Sequence, residues 1–161
     1  MIRDVTPDDA KRIADIYNYY IKETIVTFEY DPVSEQDIKE RIKKVTGKNF
    51  PYFVYEQDGI VIGYAYLNNW RERVAYDITL ETSVYLDHKA TGSGIGSILY
   101  QELINRAQKI NIHSLIGVIS LPNPESQKLH RKFNFELIGN FKESGVKFDS
   151  LIDVEFWQLI L

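Results

Sequence analysis

Cysteine is absent from the sequence. That excludes a thiol nucleophile, a cysteine-ligated zinc site and any disulfide framework. Long apolar runs are missing too: none approaches the roughly 20 residues that cross a bilayer. Nor is there an excess of positive charge, since 19 Lys and Arg stand against 23 Asp and Glu, a formal net charge of −4. A mildly acidic chain is a poor general binder of DNA or RNA, whose phosphates select clustered cations. With 9 Gly, 5 Pro and no internal repeat, collagen-like and disordered classes fall away. The opening Met1-Ile2-Arg3-Asp4 lacks a signal-peptide pattern. What is present is globular. The 161 residues, 44% hydrophobic and 26% charged, suffice for one core without a staple and leave little room for a second. The reading is a single domain over residues 1–161, in the cytoplasm and independent of membranes and nucleic acid.

Periodicity supplies the elements. Thr6-Pro7-Asp8-Asp9 reads as a helix start, and Ala10, Ile13, Ala14, Tyr17, Tyr20 and Ile21 follow at helical spacing. Ser34 opens a second helix with Ile38, Ile42 and Val45 on one face, ending near Thr46-Gly47. Strands are expected at 51–55 and 60–67, joined through Gln57-Asp58-Gly59, where Asp-Gly signals a hairpin. A polar break from Asn68 to Arg73 precedes a third strand from Tyr76 to Leu86. Then come a helix facing inward with Ile95, Leu99, Leu103 and Ala107, and a buried strand at 114–119. A helix starting at Asn123-Pro124-Glu125 turns Leu129 and Phe133 inward, and strands at 135–141 and 151–161 close the chain. The order is β-α-α-β-β-β-α-β-α-β-β, an α+β class.

The most informative segment joins the third strand to the third helix. Gly92, Gly94 and Gly96 alternate with Ser93, Ile95 and Ser97 across the turn. Glycine lets the backbone approach a ligand, and a helix N-terminus offers unpaired N–H donors with partial positive charge. Such a loop suits a phosphate or pyrophosphate. It is neither a P-loop, because no Gly-Lys-Ser/Thr follows, nor the GxGxxG dinucleotide fingerprint, because its spacing is GxGxG. A flexible helix entry has the same composition. Upstream, Glu81 lies on the polar side of an alternating strand with Asp77, Thr79, Ser83 and Tyr85. A half-solvated strand looks the same, but this one feeds the glycine loop, where a carboxylate could take a proton from an attacking amine. Asn123 before Pro124 reads as a helix cap. Arg71 and Arg73 are surface arginines or a fork for a substrate carboxylate.

Gly92 to Gly96 resembles the Q/R-x-x-G-x-G/A acyl-CoA loop of the GNAT acetyltransferase superfamily. Asn123-x-x-Ser126-x-x-x-His130-x-x-x-Asn134-Phe135 resembles its N-x-x-A-x-x-x-Y-x-x-x-G-F segment. The likeness spans the chain. It narrows to the phosphinothricin acetyltransferase-like group of amino-acid N-acetyltransferases through several further motifs in order. These are Ile16-Tyr17-Asn18, Thr27-Phe28-Glu29, Arg71-x-Arg73-x-Ala75-Tyr76, Leu80-Glu81-x-Ser83-Val84-Tyr85, Leu129-His130-x-Lys132 and Gly145-x-Lys147-Phe148. Thr91 stands where the loop usually has Gln or Arg, and Asn134 where the segment has Gly; Asn accepts positive φ.

The resemblance implies a GNAT-like fold whose mixed, largely antiparallel sheet splays between the strands of Glu81 and Ile116. It implies acetyl-CoA as cosubstrate, with pyrophosphate on the backbone of Gly92, Ser93, Gly94, Ile95, Gly96 and Ser97. Pantetheine would pair beside Val84, Tyr85 and Leu86 and meet Asn123. Phe28, Glu29, Arg71, Arg73 and Tyr76 would form the pocket of a small amine acceptor bearing a carboxylate, such as phosphinothricin or methionine sulfoximine or sulfone; Glu29 could instead pair with an arginine and shape that pocket. Glu81 would be the general base for direct attack, with a main-chain N–H near Leu86 facing the oxyanion. His130 would be either a proton donor to the thiolate or a structural histidine. No acyl-enzyme and no metal are implied. A homodimer is implied, and Phe156, Trp157, Leu159, Ile160 and Leu161 are either its interface or a core strand. The competing readings are an acetyltransferase for a polyamine, aminoglycoside or protein N-terminus, a non-catalytic acyl-CoA-binding module, and a structural interaction protein.

Overall fold

A computed structural model describes residues 1–161. The strands are β1 (Ile2–Asp4), β2 (Tyr52–Gln57), β3 (Ile60–Asn69), β4 (Thr79–Leu86), β5 (Ser114–Ser120), β6 (Glu136–Lys147) and β7 (Ser150–Ile160). The helices are α1 (Ala10–Glu23), α2 (Glu35–Thr46), α3 (Ile95–Lys109) and α4 (Pro124–Lys132). All strands join one sheet in the order β1-β2-β3-β4-β5-β7-β6, antiparallel except for the β4–β5 pair. The element order is the one read from the sequence.

Local chemistry explains the boundaries. Ser34 and Asp37 close a reciprocal box at the start of α2, the Ser34 N–H donating to Asp37 at 2.7 Å and the Asp37 N–H to Ser34 at 3.1 Å. Asp58 and Gly59 both have positive φ, 52° and 75°, as a two-residue turn matching the strand twist requires. Asn134 takes φ 61° after α4, the backbone state that asparagine tolerates.

Three strands differ from the expected spans. β3 runs on to Asn69, because Asn68 and Asn69 pair with Glu81 and Leu80. β4 starts at Thr79 rather than Tyr76. Val74–Tyr76 form a short 3₁₀ turn, and residues 71–78 are exposed with no strand alongside. β6 extends past Phe141 to Lys147 through register shifts at 137/139 and 141/145.

Two cores lie on opposite faces of the sheet. On one, Leu99, Leu103 and Ala107 of α3 pack with Phe53, Ala65, Leu80, Leu115, Ile119 and Trp157. On the other, Ile13, Tyr17 and Ile21 of α1 and Ile38, Ile42 and Val45 of α2 cover Tyr52, Val54 and Tyr64. Neighbours such as Phe53 and Val54 take opposite faces, as strand alternation demands.

The sheet opens in its middle. β4 and β5 pair only at Thr79–Ser114, Leu80–Leu115 and Glu81–Ile116. Beyond Glu81 the two strands diverge, β4 following β3 and β5 following β7. The Asp87 N–H donates to Ile62 O at 2.8 Å, which sets the alternation along β4. Main-chain groups of residues 81, 83 and 85 serve β3, so those of Thr82, Val84 and Leu86 face the opening.

Candidate active site

The opening is a cleft of about 1070 Å³. One wall is the free edge of β4 from Glu81 to Leu86, and the other is Val118, Ile119 and Ser120 of β5. One end meets the glycine loop and α3; the opposite end is closed by Val26, Thr27 and Phe28 from the irregular segment after α1.

At the loop end, Gly92 and Gly94 have φ of 77° and 84°, and a Cβ on either would meet no protein atom within 4 Å. Gly94 caps α3 in the left-handed region. The backbone is thus turned toward open space, as a pyrophosphate requires. Gly96 and Ser97 also line the cleft. Ser93 and Ile95 do not: the Ser93 hydroxyl donates to Ala90 O at 2.6 Å, and Ile95 is buried in the core. Thr91 lines the cleft but donates its hydroxyl to His88 O at 3.1 Å. The cations lining the cleft come from α4, Lys128 and Lys132, and Lys132 Nζ donates to Ser97 Oγ at 2.9 Å.

Along the walls, Val84, Tyr85 and Leu86 all reach the cleft. Tyr85 packs edge-on against Tyr17 and Tyr20, with centroids at 5.1 and 5.3 Å. Burial raises the phenol pKa values, that of Tyr17 to about 12, so these rings act as walls and neutral donors. The Tyr20 hydroxyl donates to Leu86 O at 2.7 Å, occupying one carbonyl of the open edge. Asn123 caps α4, its Oδ1 accepting from the Ser126 N–H at 3.1 Å, and lines the cleft as well.

Glu81 stands where β4 and β5 part. It is half-buried and has neither an ion pair nor a hydrogen-bond partner for its carboxylate. Burial alone lifts its pKa above the ordinary glutamate value. An unpartnered, partly desolvated carboxylate in a cleft has the form of a proton acceptor.

His130 is buried with both ring nitrogens engaged. Nδ1 lies 2.8 Å from Ser126 O, a pure acceptor, so Nδ1 carries the proton. Nε2 then accepts from the Tyr100 hydroxyl at 2.9 Å, and that hydroxyl is 2.9 Å from Thr82 Oγ1. The ring fills the space above Gly117, where a Cβ would lie 2.1 Å from Nε2. Desolvation lowers its pKa, so the imidazole is neutral.

Of the expected acceptor residues, only Phe28 reaches the cleft. Glu29 is turned away. It accepts from both Arg41 nitrogens, at 2.8 and 3.0 Å, and from Tyr17 at 3.0 Å, which makes it a brace for the pocket. Arg71, Arg73 and Tyr76 lie outside the lining on the exposed 71–78 segment, with the Arg71 guanidinium 5.0 Å from the Trp70 ring centre. The sequence reading missed Tyr66, Thr82, Tyr100, Ser126 and Val154 as cleft residues. Thr82 carried a usable signal, since it follows Glu81 on a strand already assigned to the cleft.

An open strand edge, a glycine loop that presents N–H groups and a bare carboxylate between them define an acetyl-CoA-dependent N-acetyltransferase. The chain belongs to the GNAT acetyltransferase domain family, which matches residues 2–156. It is 34% identical to the phosphinothricin N-acetyltransferase of Streptomyces viridochromogenes, over 98% of this chain and 85% of that one. It is 32% identical to the L-methionine sulfoximine/L-methionine sulfone acetyltransferase of Pseudomonas aeruginosa, over 99% and 94% of the two chains. The crystal structure of a GNAT superfamily phosphinothricin acetyltransferase from Sinorhizobium meliloti in complex with AcCoA has the same fold. It matches with a TM-score of 0.97 at 37% identity, covering 100% of this chain and 88% of that one.

Proposed function

We propose that this single domain, residues 1–161, acetylates the primary amine of a small amino acid of the phosphinothricin or methionine sulfoximine/sulfone type, in the cytoplasm. The relatives named for those acceptors support the substrate class. The observation that carries the mechanism is Glu81, unpartnered and raised in pKa at the parting of β4 and β5.

Acetyl-CoA lies along the open edge of β4 with its pyrophosphate on the Gly92–Ser97 backbone, beside Asn123. The acceptor enters as an ammonium past Phe28. Glu81 takes one of its protons, directly or through water. The freed amine attacks the thioester carbonyl, and the carbon–sulfur bond breaks from the tetrahedral intermediate. Open-edge N–H groups of β4 face the oxyanion. As the thiolate leaves, the nitrogen gives up its second proton to water, and the thiolate takes a proton from water. His130 acts by position: its neutral ring holds the Tyr100 hydroxyl and fills the wall over Gly117.

An acceptor screen read by free thiol tests the proposal. Phosphinothricin, methionine sulfoximine and methionine sulfone are expected to release coenzyme A thiol, and spermidine is not. Turnover confined to a polyamine or an aminoglycoside overturns the acceptor class.

We also propose a homodimer. Trp157 is not part of its interface, because it is core, 2% exposed, with its indole N–H on Glu155 at 2.9 Å. The opposite face of β7 and β6 carries exposed apolar side chains. There Phe156 meets Trp70 and Phe141 edge-on at 5.5 and 5.0 Å, while Phe141 and Ile160 are 62% and 56% exposed. Light scattering at micromolar concentration should give twice the chain mass. A monomer mass rejects the dimer.

A further inference from the structure

Lys147, the last residue of β6, is 1% exposed, yet no carboxylate lies within ion-pair distance of it. Burying an unpaired ammonium is unfavourable, so its remaining contacts must use the charge. Nζ donates to Thr27 O at 2.5 Å and to Tyr20 O at 3.4 Å. Both acceptors are backbone carbonyls without a main-chain donor, although Tyr20 O also accepts from the Thr24 hydroxyl at 2.8 Å, so the Thr27 bond is the stronger of the two. Tyr20 lies in the last turn of α1, where carbonyls lack an i+4 donor, and Thr27 belongs to the irregular segment that follows. A positive charge there also meets the negative end of the α1 dipole.

The two residues before Lys147 grip the same segment. The Tyr30 hydroxyl donates to Val146 O. The Phe28 ring lies against Gly145, where a Cβ would be 2.3 Å from the ring. Residues 145–147 thus clasp 27–30, and Thr27 and Phe28 are the residues that close the acceptor end of the cleft. None of these hydrogen bonds involves the glycine loop, Asn123 or α4.

We propose that Lys147 is a positioning residue for the acceptor. Its ammonium joins the end of α1 to the loop, and so fixes the acceptor end of the cleft opposite Glu81 without acting on the coenzyme end. This inference rests on the reading of that end as the acceptor pocket.

Lys147→Met keeps the length and removes the charge. Three readouts test it: acceptor KM and kcat, coenzyme A affinity by calorimetry, and hydrogen exchange of residues 24–31 followed by mass spectrometry. The acceptor KM should rise about tenfold or more, while kcat at saturating acceptor and coenzyme A affinity stay within about twofold, and exchange in 24–31 should accelerate. Unchanged exchange in a folded variant overturns the proposal, and so does a coenzyme affinity that falls in step with the acceptor KM. If the wild-type protein acetylates no amino acid, the acceptor class fails, and exchange with coenzyme affinity still decides the clasp. If Lys147→Met does not fold, Tyr30→Phe decides it. Tyr30 is 62% exposed, so its loss leaves the core intact. Faster exchange in 24–31 supports the clasp, and unchanged exchange overturns it.

Discussion

Glu81→Gln is expected to lower kcat by about 10²-fold or more at neutral pH, within the usual range for a lost general base. The substitution keeps size and hydrogen-bonding capacity and removes only the basic carboxylate. Coenzyme A affinity should stay unchanged, because the loop donors are untouched. The pH profile carries the sharper information. Burial raises the Glu81 pKa, so the native protein holds that proton more tightly than the unfolded chain. The wild-type rate should therefore climb with pH through a value above that of ordinary glutamate, since only the ionised form accepts a proton. In the variant this acid limb should vanish, and the residual rate should follow the fraction of neutral amine. The same sign applies to stability. The ionised carboxylate is disfavoured by burial above its folded pKa, so the variant should be no less stable at pH 7. A folding defect is thereby separated from a chemical one. A near wild-type kcat that keeps its acid limb transfers the base role to a water held by main-chain groups.

Gly94→Val should weaken coenzyme A binding by about tenfold or more. Gly94 starts α3 at φ 84°, a backbone state that a β-branched residue adopts only under strain. A Cβ there meets no protein atom within 4 Å, so the added branches point into the open space where the proposed mode of binding puts the pyrophosphate. Strain and obstruction act together on one end of the cleft, and the cores, which lie elsewhere, keep the fold. Calorimetry with coenzyme A measures the loss. An unchanged affinity in a folded variant removes this loop from the coenzyme site.

The features legible in the sequence were those written in adjacent residues. Gly92, Gly94 and Gly96 marked the left-handed turn that opens α3, Asp58-Gly59 the hairpin, and Asn123-Pro124 the cap. Glu81 stands out in the sequence as polar on a strand that leads into that turn, and the structure puts it on the cleft wall. The contacts that decide His130 come from distant positions: Tyr100 thirty residues upstream and Gly117 on β5. No local pattern joins them. The strand expected from Tyr76 followed a real alternation of Tyr76, Ile78 and Leu80, but a strand needs a partner, and β3 ends opposite Leu80. That is why Arg73 and Tyr76 lie on an exposed turn and not on the cleft wall. Lys147 read as one motif residue among many, since nothing nearby shows that an isolated lysine will be buried beside the last turn of a helix, against Tyr20, 127 residues earlier.

The gap between β4 and β5 makes the sheet incomplete without its cosubstrate. A ligand that binds only the folded state stabilises it by about 2.7 kcal/mol at a concentration a hundredfold above Kd. In a chain of this size that moves the melting temperature by roughly 5–10 °C. Saturating acetyl-CoA should therefore slow thermal unfolding and proteolysis of the purified protein, a shift that a melting curve with and without the cosubstrate measures.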